Sequence, residues 1–367
     1  MKKILGFFLL IILALAVFLF KSPSRRDQII KFVKGEGELK GELELVNQVP
    51  LGDLPLELDM VGSNLLTWYG NRVKFTSSKG EVLNDREVLL NNPAISVKDS
   101  VTAVYDRGGS DVYVLNSKGD ELGQINGLRK LSYSSPVHGF IALVERTEQG
   151  EALSFLSYDG VELFKKELKG RHFSAFSSSK KNSYYIAGAF YSTGLDLVPN
   201  LFIYDKEGNE VLNQATDFVP LMVNIDDEGR YQYLTDNDLY FGNLNSESPA
   251  EISLFYHILT TDYLGSRKLV GLSFGKTIGI LTEDRLLELG YDGELLVDKP
   301  ITGIYSKIQP FGNGFMVSGE KGLKVFEFGE EVYDQSLEGA KALTNGNMIV
   351  TVSADGVRWN TMRYKLD

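Results

Sequence analysis

Six short segments of this chain follow one pattern, and that pattern restricts the fold more than any other feature. They are SSKGEVL, NSKGDEL, SYDGVEL, DKEGNEV, GYDGELL and EFGEEV, centred on Gly80, Gly119, Gly160, Gly208, Gly293 and Gly329. Three residues after each glycine stands Leu or Val: Leu83, Leu122, Leu163, Val211, Leu296 and Val332. Four residues before it stands an apolar or aromatic residue in five cases (Leu115, Leu156, Tyr204, Leu289, Val325), with Thr76 the exception. The pattern describes a hairpin: a strand runs into a tight turn, glycine supplies the positive φ, and a second strand leaves with an aliphatic at the matching position.

The glycines are spaced 39, 41, 48, 85 and 36 residues apart. The 85 reads as two units, with a degenerate turn near Asn245-Ser246-Glu247. Between hairpins lie two further short apolar runs per unit, such as NPAISV and VTAVYD, and no 3.6-residue periodicity is sustained. A period near 40 with four strands per unit is the signature of propeller blades. Seven units follow, at about 55–88, 92–127, 130–169, 171–216, 218–264, 268–300 and 302–338. The remainder, 340–366, holds three strands without a fourth, and 41–49 is a spare strand. The expectation is an all-β propeller of eight four-stranded blades, the last shared by 41–49 and 340–366, with seven blades as the alternative.

The hairpin turns Tyr204-Asp205…Gly208, Tyr158-Asp159-Gly160 and Tyr291-Asp292-Gly293 resemble those of the quinoprotein-like (PQQ-like) β-propeller superfamily. The arrangement over residues 40–367 is similar to poorly characterised membrane-anchored propellers of Gram-positive bacteria. Cofactor-binding quinoproteins carry repeated Trp docking motifs, whereas this chain has only Trp68 and Trp359, so the resemblance implies the fold without the cofactor. A propeller fold by itself selects no function.

Residues 4–20 form an uncharged apolar run, long enough as a helix to span roughly 25 Å, about a bilayer core. Ile4, Phe7, Leu10, Leu13, Val17 and Phe20 would face lipid. The division expected is an anchor at 1–21, a basic linker at 22–40 and a propeller at 41–367. Ala14 and Ala16 have the spacing of a cleavage site but lie inside the run, which favours a retained anchor. Orientation has two readings. Five basic residues after the run favour a cytoplasmic body, while the MKK start and the length of the body favour export, the preferred reading. Residues 1–34 hold seven of the 38 Lys and Arg and one of the 49 acids, leaving 31 basic against 48 acidic residues, a net −17. Such a body repels nucleic acid, and the partners expected are the membrane and an envelope protein.

Catalytic and metal motifs are sparse. The chain has no Cys and three histidines, His138, His172 and His257, in three different units. Gly271-Leu272-Ser273-Phe274-Gly275 matches a nucleophile elbow, but it sits within a strand pair and no histidine follows it. Ser177-Ser178-Ser179-Lys180 reads as a solvated turn. The acids at 226–228 and 236–238 flank one strand and read as turn formers, not calcium ligands. No catalytic, cofactor or metal residue is assigned. The remaining feature is Leu195, Asp196, Leu197 and Val198, in an insertion between SYYIAGAFYS and NLFIYDK that would either suit a partner contact or fold back onto its own blade. The function expected is a non-catalytic scaffold or sensor; the alternative is a cell-wall carbohydrate-binding or -processing module using pocket carboxylates.

Overall fold

Four of the six repeated glycines lie among the described residues, and each ends a turn whose chemistry is visible atom by atom. Gly80, Gly119, Gly160 and Gly208 have φ between +83° and +86°, a region that costs an L side chain energy. Their amides donate to the carbonyls of Ser77, Asn116, Ser157 and Asp205, three residues earlier, at 2.9–3.0 Å. The side chains of those four residues then accept amides from across the turn. Asn116 Oδ1 takes those of Lys118 (2.8 Å) and Asp120 (3.0 Å), and Asp205 Oδ1 those of Glu207 (3.0 Å) and Asn209 (2.8 Å). Ser77 and Ser157 do the same through Oγ.

The aliphatic three residues after the glycine has a different role from the one expected. In all six units the ladder skips it: Phe75 faces Asn84 and Thr76 faces Val82, so Leu83 is left over as a β-bulge. Leu122, Leu163, Val211, Leu296 and Val332 are skipped in the same way. The turn consumes an odd residue, and the strand regains register by leaving one unpaired.

The structure is a computed structural model that describes residues 39–366 apart from 53–54, 236–237, 246–249, 254–256, 265–267, 275–283, 291–294, 302–304, 320–321, 328–329 and 338–339. The expected anchor, with Ile4, Phe7, Leu10, Leu13, Val17 and Phe20, lies outside the described residues. Among those described, no helix is long and apolar enough to cross a membrane.

The strands form eight four-stranded antiparallel sheets. Sheets 1 to 7 take their strands in chain order from residues 57–87, 93–125, 131–169, 172–215, 222–253, 257–301 and 307–336. Sheet 8 combines Lys341–Thr344, Met348–Ser353 and Gly356–Leu366 with Leu39–Val49 from the other end of the chain. The shared last sheet matches the expectation, with the N-terminal strand starting two residues earlier. One boundary does not match. His257–Leu264, expected in the fifth unit, is the first strand of sheet 6 and pairs with Lys268–Phe274. The fourth strand of sheet 5 is only Ala250–Ser253, and no glycine marks the turn before it, so the longer apolar run after it took its place in the reading.

Among the described residues, apolar cores join sheets 1 to 5 in succession, sheets 6 to 8 in succession, and sheet 8 to sheet 1. Val73 and Phe75 of sheet 1 meet Val104 and Leu115 of sheet 2, and Phe155 and Phe164 of sheet 3 meet Tyr185 and Tyr204 of sheet 4. The last sheet meets the first, with Val350 and the fully buried Trp359 against Met60 and Leu65. Burial of this kind is worth about 25 cal/mol per Å² of apolar surface and is the main force holding sheet to sheet.

Sheets 7 and 8 also share a buried acid. Glu327, 2% exposed, accepts a 2.6 Å hydrogen bond from the Tyr364 hydroxyl and a 3.1 Å bond from the Asn313 amide. Burial pushes its carboxyl above the usual range, against those two donors. A folded-state pKa above the unfolded one gives stability that is present in acid and lost as pH rises through the folded value. Glu327→Gln keeps an acceptor without the charge. Its unfolding free energy relative to wild type is expected to improve by on the order of 1 kcal/mol between acid and neutral pH. Urea titrations at several pH values check this, and a difference independent of pH would refute it.

Candidate functional site

The second and third strands of sheet 4, Tyr184–Thr193 and Asp196–Asp205, run ten residues each, longer than the sheet's outer strands can cover. The first strand, His172–Ser178, pairs no further than Phe190, and the fourth, Glu210–Ala215, no further than Asn200. The central ladder continues through Tyr191↔Val198 and Ser192↔Leu197 to Thr193↔Asp196. The insertion expected at 193–199 is therefore the tip of a hairpin. Gly194, at φ +81°, is the first residue of its two-residue turn. Leu195 is 102% exposed and Leu197 53%, Asp196 is exposed, and Val198 is partly buried.

The base of the hairpin is braced by a residue that sequence reasoning passed over. The Arg171 guanidinium lies 4.6 Å from the Tyr191 ring centroid and 5.5 Å from that of Phe202, and Nη1 donates to Asn200 Oδ1 at 2.6 Å. Stacking on two rings plus a hydrogen bond holds a cation well when partly desolvated. Asn200 in turn donates to Asn213 of the fourth strand at 3.2 Å. Phe218, in the connection that leaves this sheet, is also exposed and was not singled out. The sequence signal available was an apolar residue inside a polar connection, TDFVP.

A cavity of about 1090 Å³ opens along the first strands of sheets 2 to 5, with Tyr133, Val137, Phe176 and Val223 on its walls. Lys98, Asp99, His138, Lys180, Asp227 and Arg230 also line it. Asp99 and His138 take left-handed φ of +54° and +40° in turns between first and second strands, uncommon for residues other than glycine. Burial, then the Lys98 charge, lowers the His138 pKa.

Three of the carboxylates here, Asp226, Glu151 and Asp227, serve the fold. Asp226 accepts the amides of Glu228 and Arg230, each at 2.9 Å, and the Arg230 guanidinium at 2.6 Å. Glu151 accepts the Phe173 amide at 2.9 Å and lies 3.4 Å from His172 Nδ1, an acidic neighbour that residue spacing did not reveal. Burial opposes ionisation of Asp227, yet the Ser179 hydroxyl, the Lys181 amide and the Ser183 hydroxyl hold its carboxyl below the usual range. That direction is the wrong one for a general acid of glycoside cleavage.

The other motifs take ordinary places. Gly271 to Phe274 lie in the second strand of sheet 6, Lys268–Phe274, and Gly275 lies outside the described residues. Ser177, Ser178 and Ser179 are buried, not solvated; only Lys180 of that group is exposed. Ser177 and Ser178 belong to the first strand of sheet 4, where the neighbouring sheets cover them, and Ser179 Oγ caps the Tyr184 amide at 3.1 Å. Asp226 is a turn former as expected, while Asp236 and Asn237 lie outside the described residues. No group of three potential metal ligands occurs among the described residues.

The architecture has relatives among solved structures. BamB from Moraxella catarrhalis superposes with a TM-score of 0.52 over 88% of this chain and 100% of its own, at 12% identity. The C-terminal WD40 domain of Sif2 gives 0.59 over 89% and 100%, at 13% identity. Apo AztD from Citrobacter koseri gives 0.53 over 83% and 96%, at 10% identity. At such identities the likeness shows the fold, a β-propeller, and nothing of function. No curated protein matches the sequence. One family profile does match, over residues 55–340, and through it the chain belongs to DUF5711, a family of unknown function.

Proposed function

We propose that this chain is a membrane-anchored, extracytoplasmic β-propeller of eight blades that works as a non-catalytic protein-binding scaffold or sensor. The observation that carries the proposal is the hairpin tip, where a fully exposed Leu195 and a half-exposed Leu197 stand on a braced two-stranded support. Exposed apolar side chains on a rigid element cost solvation and return it when a partner covers them. The apolar run at 4–20 supports the anchor, and the contact of sheet 8 with sheet 1 supports an eight-bladed ring. The quinoprotein-like turns support kinship with that superfamily without its cofactor. Carbohydrate processing has less support, because Asp226, Glu151 and Asp227 of the cavity are engaged within the fold.

Two experiments on cells test this. The chain has no cysteine, so Asp196→Cys supplies a single thiol. A membrane-impermeant maleimide should label it in intact cells; labelling only after lysis would place the body in the cytoplasm. A photo-crosslinking residue at position 195 should give a discrete adduct with an envelope protein, and one at exposed Val82, in sheet 1, should not. Equal yields from both would remove the hairpin as the contact.

A further inference from the structure

The hairpin edge has a hydrogen-bonding phase that identifies what kind of chain would bind it. In a two-residue hairpin the closing pair, here Thr193 and Asp196, exchanges backbone hydrogen bonds. The next pair, Ser192 and Leu197, does not, so the N–H and C=O of Leu197 point outward. Pro199 lies two residues on, in the same phase. Its ring has no N–H to lose, and its carbonyl accepts the Thr216 amide at 3.1 Å, which fixes the outward side as that of the fourth strand. That strand stops at Ala215, and the ladder has no partner for Leu197 there among the described residues.

Charge at this edge is also one-sided. Asp196 is exposed beside Leu197, and Asp217 is exposed in the connection that begins at Thr216, one residue from the Pro199 contact. No ion pair engages either carboxylate among the described residues, in a body that carries 48 acids against 31 bases beyond residue 34. Apolar Leu195 and Phe218 flank them.

The geometry points to strand addition: an extended polypeptide segment bearing apolar and basic side chains docks on the Leu197 edge and continues the line of the fourth strand of sheet 4. Main-chain hydrogen bonds hold such a segment, and side chains on one of its faces choose it. This inference rests on the hairpin being the contact, and it adds the chemistry of the partner.

The full chain in detergent micelles is titrated into a fluorescent decapeptide of alternating valine and lysine, read by polarisation. Saturable binding is expected. Affinity should fall about tenfold or more when alternate peptide nitrogens are methylated, which removes donors without altering the side chains. Replacing the lysines by glutamate should cost as much. Leu197→Pro, which deletes an outward N–H and no internal bond, should weaken the parent peptide and leave unfolding by urea unchanged. Equal affinity for the N-methylated peptide, or absence of binding by the parent, overturns strand addition. A position-195 crosslink that persists in that case leaves the contact itself standing, so the two failures are distinguishable.

Discussion

A chain that begins at residue 50 is expected to lose cooperative unfolding and to aggregate, whereas one that begins at residue 35 keeps it. The difference is the strand Leu39–Val49, which pairs with Gly356–Leu366 from Leu39↔Leu366 to Val49↔Val357, with one irregularity near Leu45. Without it, an eleven-residue edge of sheet 8 is left open, a template for pairing between molecules. Core is lost as well. Leu43 packs with Met316, Val325 and Val332 in the cluster between sheets 7 and 8, and Gly41 sits where a Cβ would collide with Met362. The loss is expected to exceed about 5 kcal/mol, comparable with the whole stability of many domains. Adding a peptide of residues 38–50 should restore the transition in proportion to its concentration. An unchanged urea midpoint in the shorter chain would mean that the shared sheet contributes nothing.

Gly123→Ala is expected to be strongly destabilising, by about 3 kcal/mol. Gly123 lies in the fourth strand of sheet 2, opposite Val114, and a Cβ there would fall inside the backbone carbonyl of Tyr158, in the turn between the third and fourth strands of sheet 3. Backbone cannot step aside as a flexible side chain can. Gly127→Ala is the matched control. It adopts φ +75° with open space where its Cβ would go, so conformational strain alone should cost about 1–2 kcal/mol. Urea denaturation of both variants separates the contributions. If Gly123→Ala is no worse than Gly127→Ala, the seat between sheets 2 and 3 is looser than described.

What could be read in the sequence divides by the kind of constraint. Glycine at 80, 119, 160 and 208 is legible because a positive φ nearly demands it. The capping residues stood equally three positions earlier, yet only Asp205 entered the reading, as part of a Tyr-Asp turn, while Ser77, Asn116 and Ser157 did not. The aliphatic after the glycine was visible but misplaced, because a bulge and a ladder position look alike in one dimension. The shared last sheet could be inferred from a spare strand at one end of the count and three strands without a fourth at the other. The boundary between sheets 5 and 6 could not, since the short strand Ala250–Ser253 follows a turn without glycine.

At the site, residues 193–199 stood out as extra length between two apolar runs. Nothing nearby in the sequence tells that the segment is a braced ladder, because Arg171 reaches Tyr191 from twenty residues upstream. The cavity was beyond sequence reasoning for the same reason. Lys98, His138 and Lys180 come from three sheets about forty residues apart, and only the packing of those sheets brings them to one opening.

The shared sheet also sets a timetable. Its outer strand is the first described strand to leave the ribosome, and its partner Gly356–Leu366 is the last. Intermediate sheets can complete themselves in order as they are made, each from local hairpins, but sheet 8 waits for Gly356–Leu366. Until then Leu39–Val49 is an unsatisfied strand at one end of a growing stack of sheets. A product cut short by premature termination or by proteolysis keeps that strand exposed. Synthesis of Gly356–Leu366 is therefore registered in the fold itself, and surveillance proteases or chaperones that read unpaired strands can tell a molecule with a closed sheet 8 from one without it.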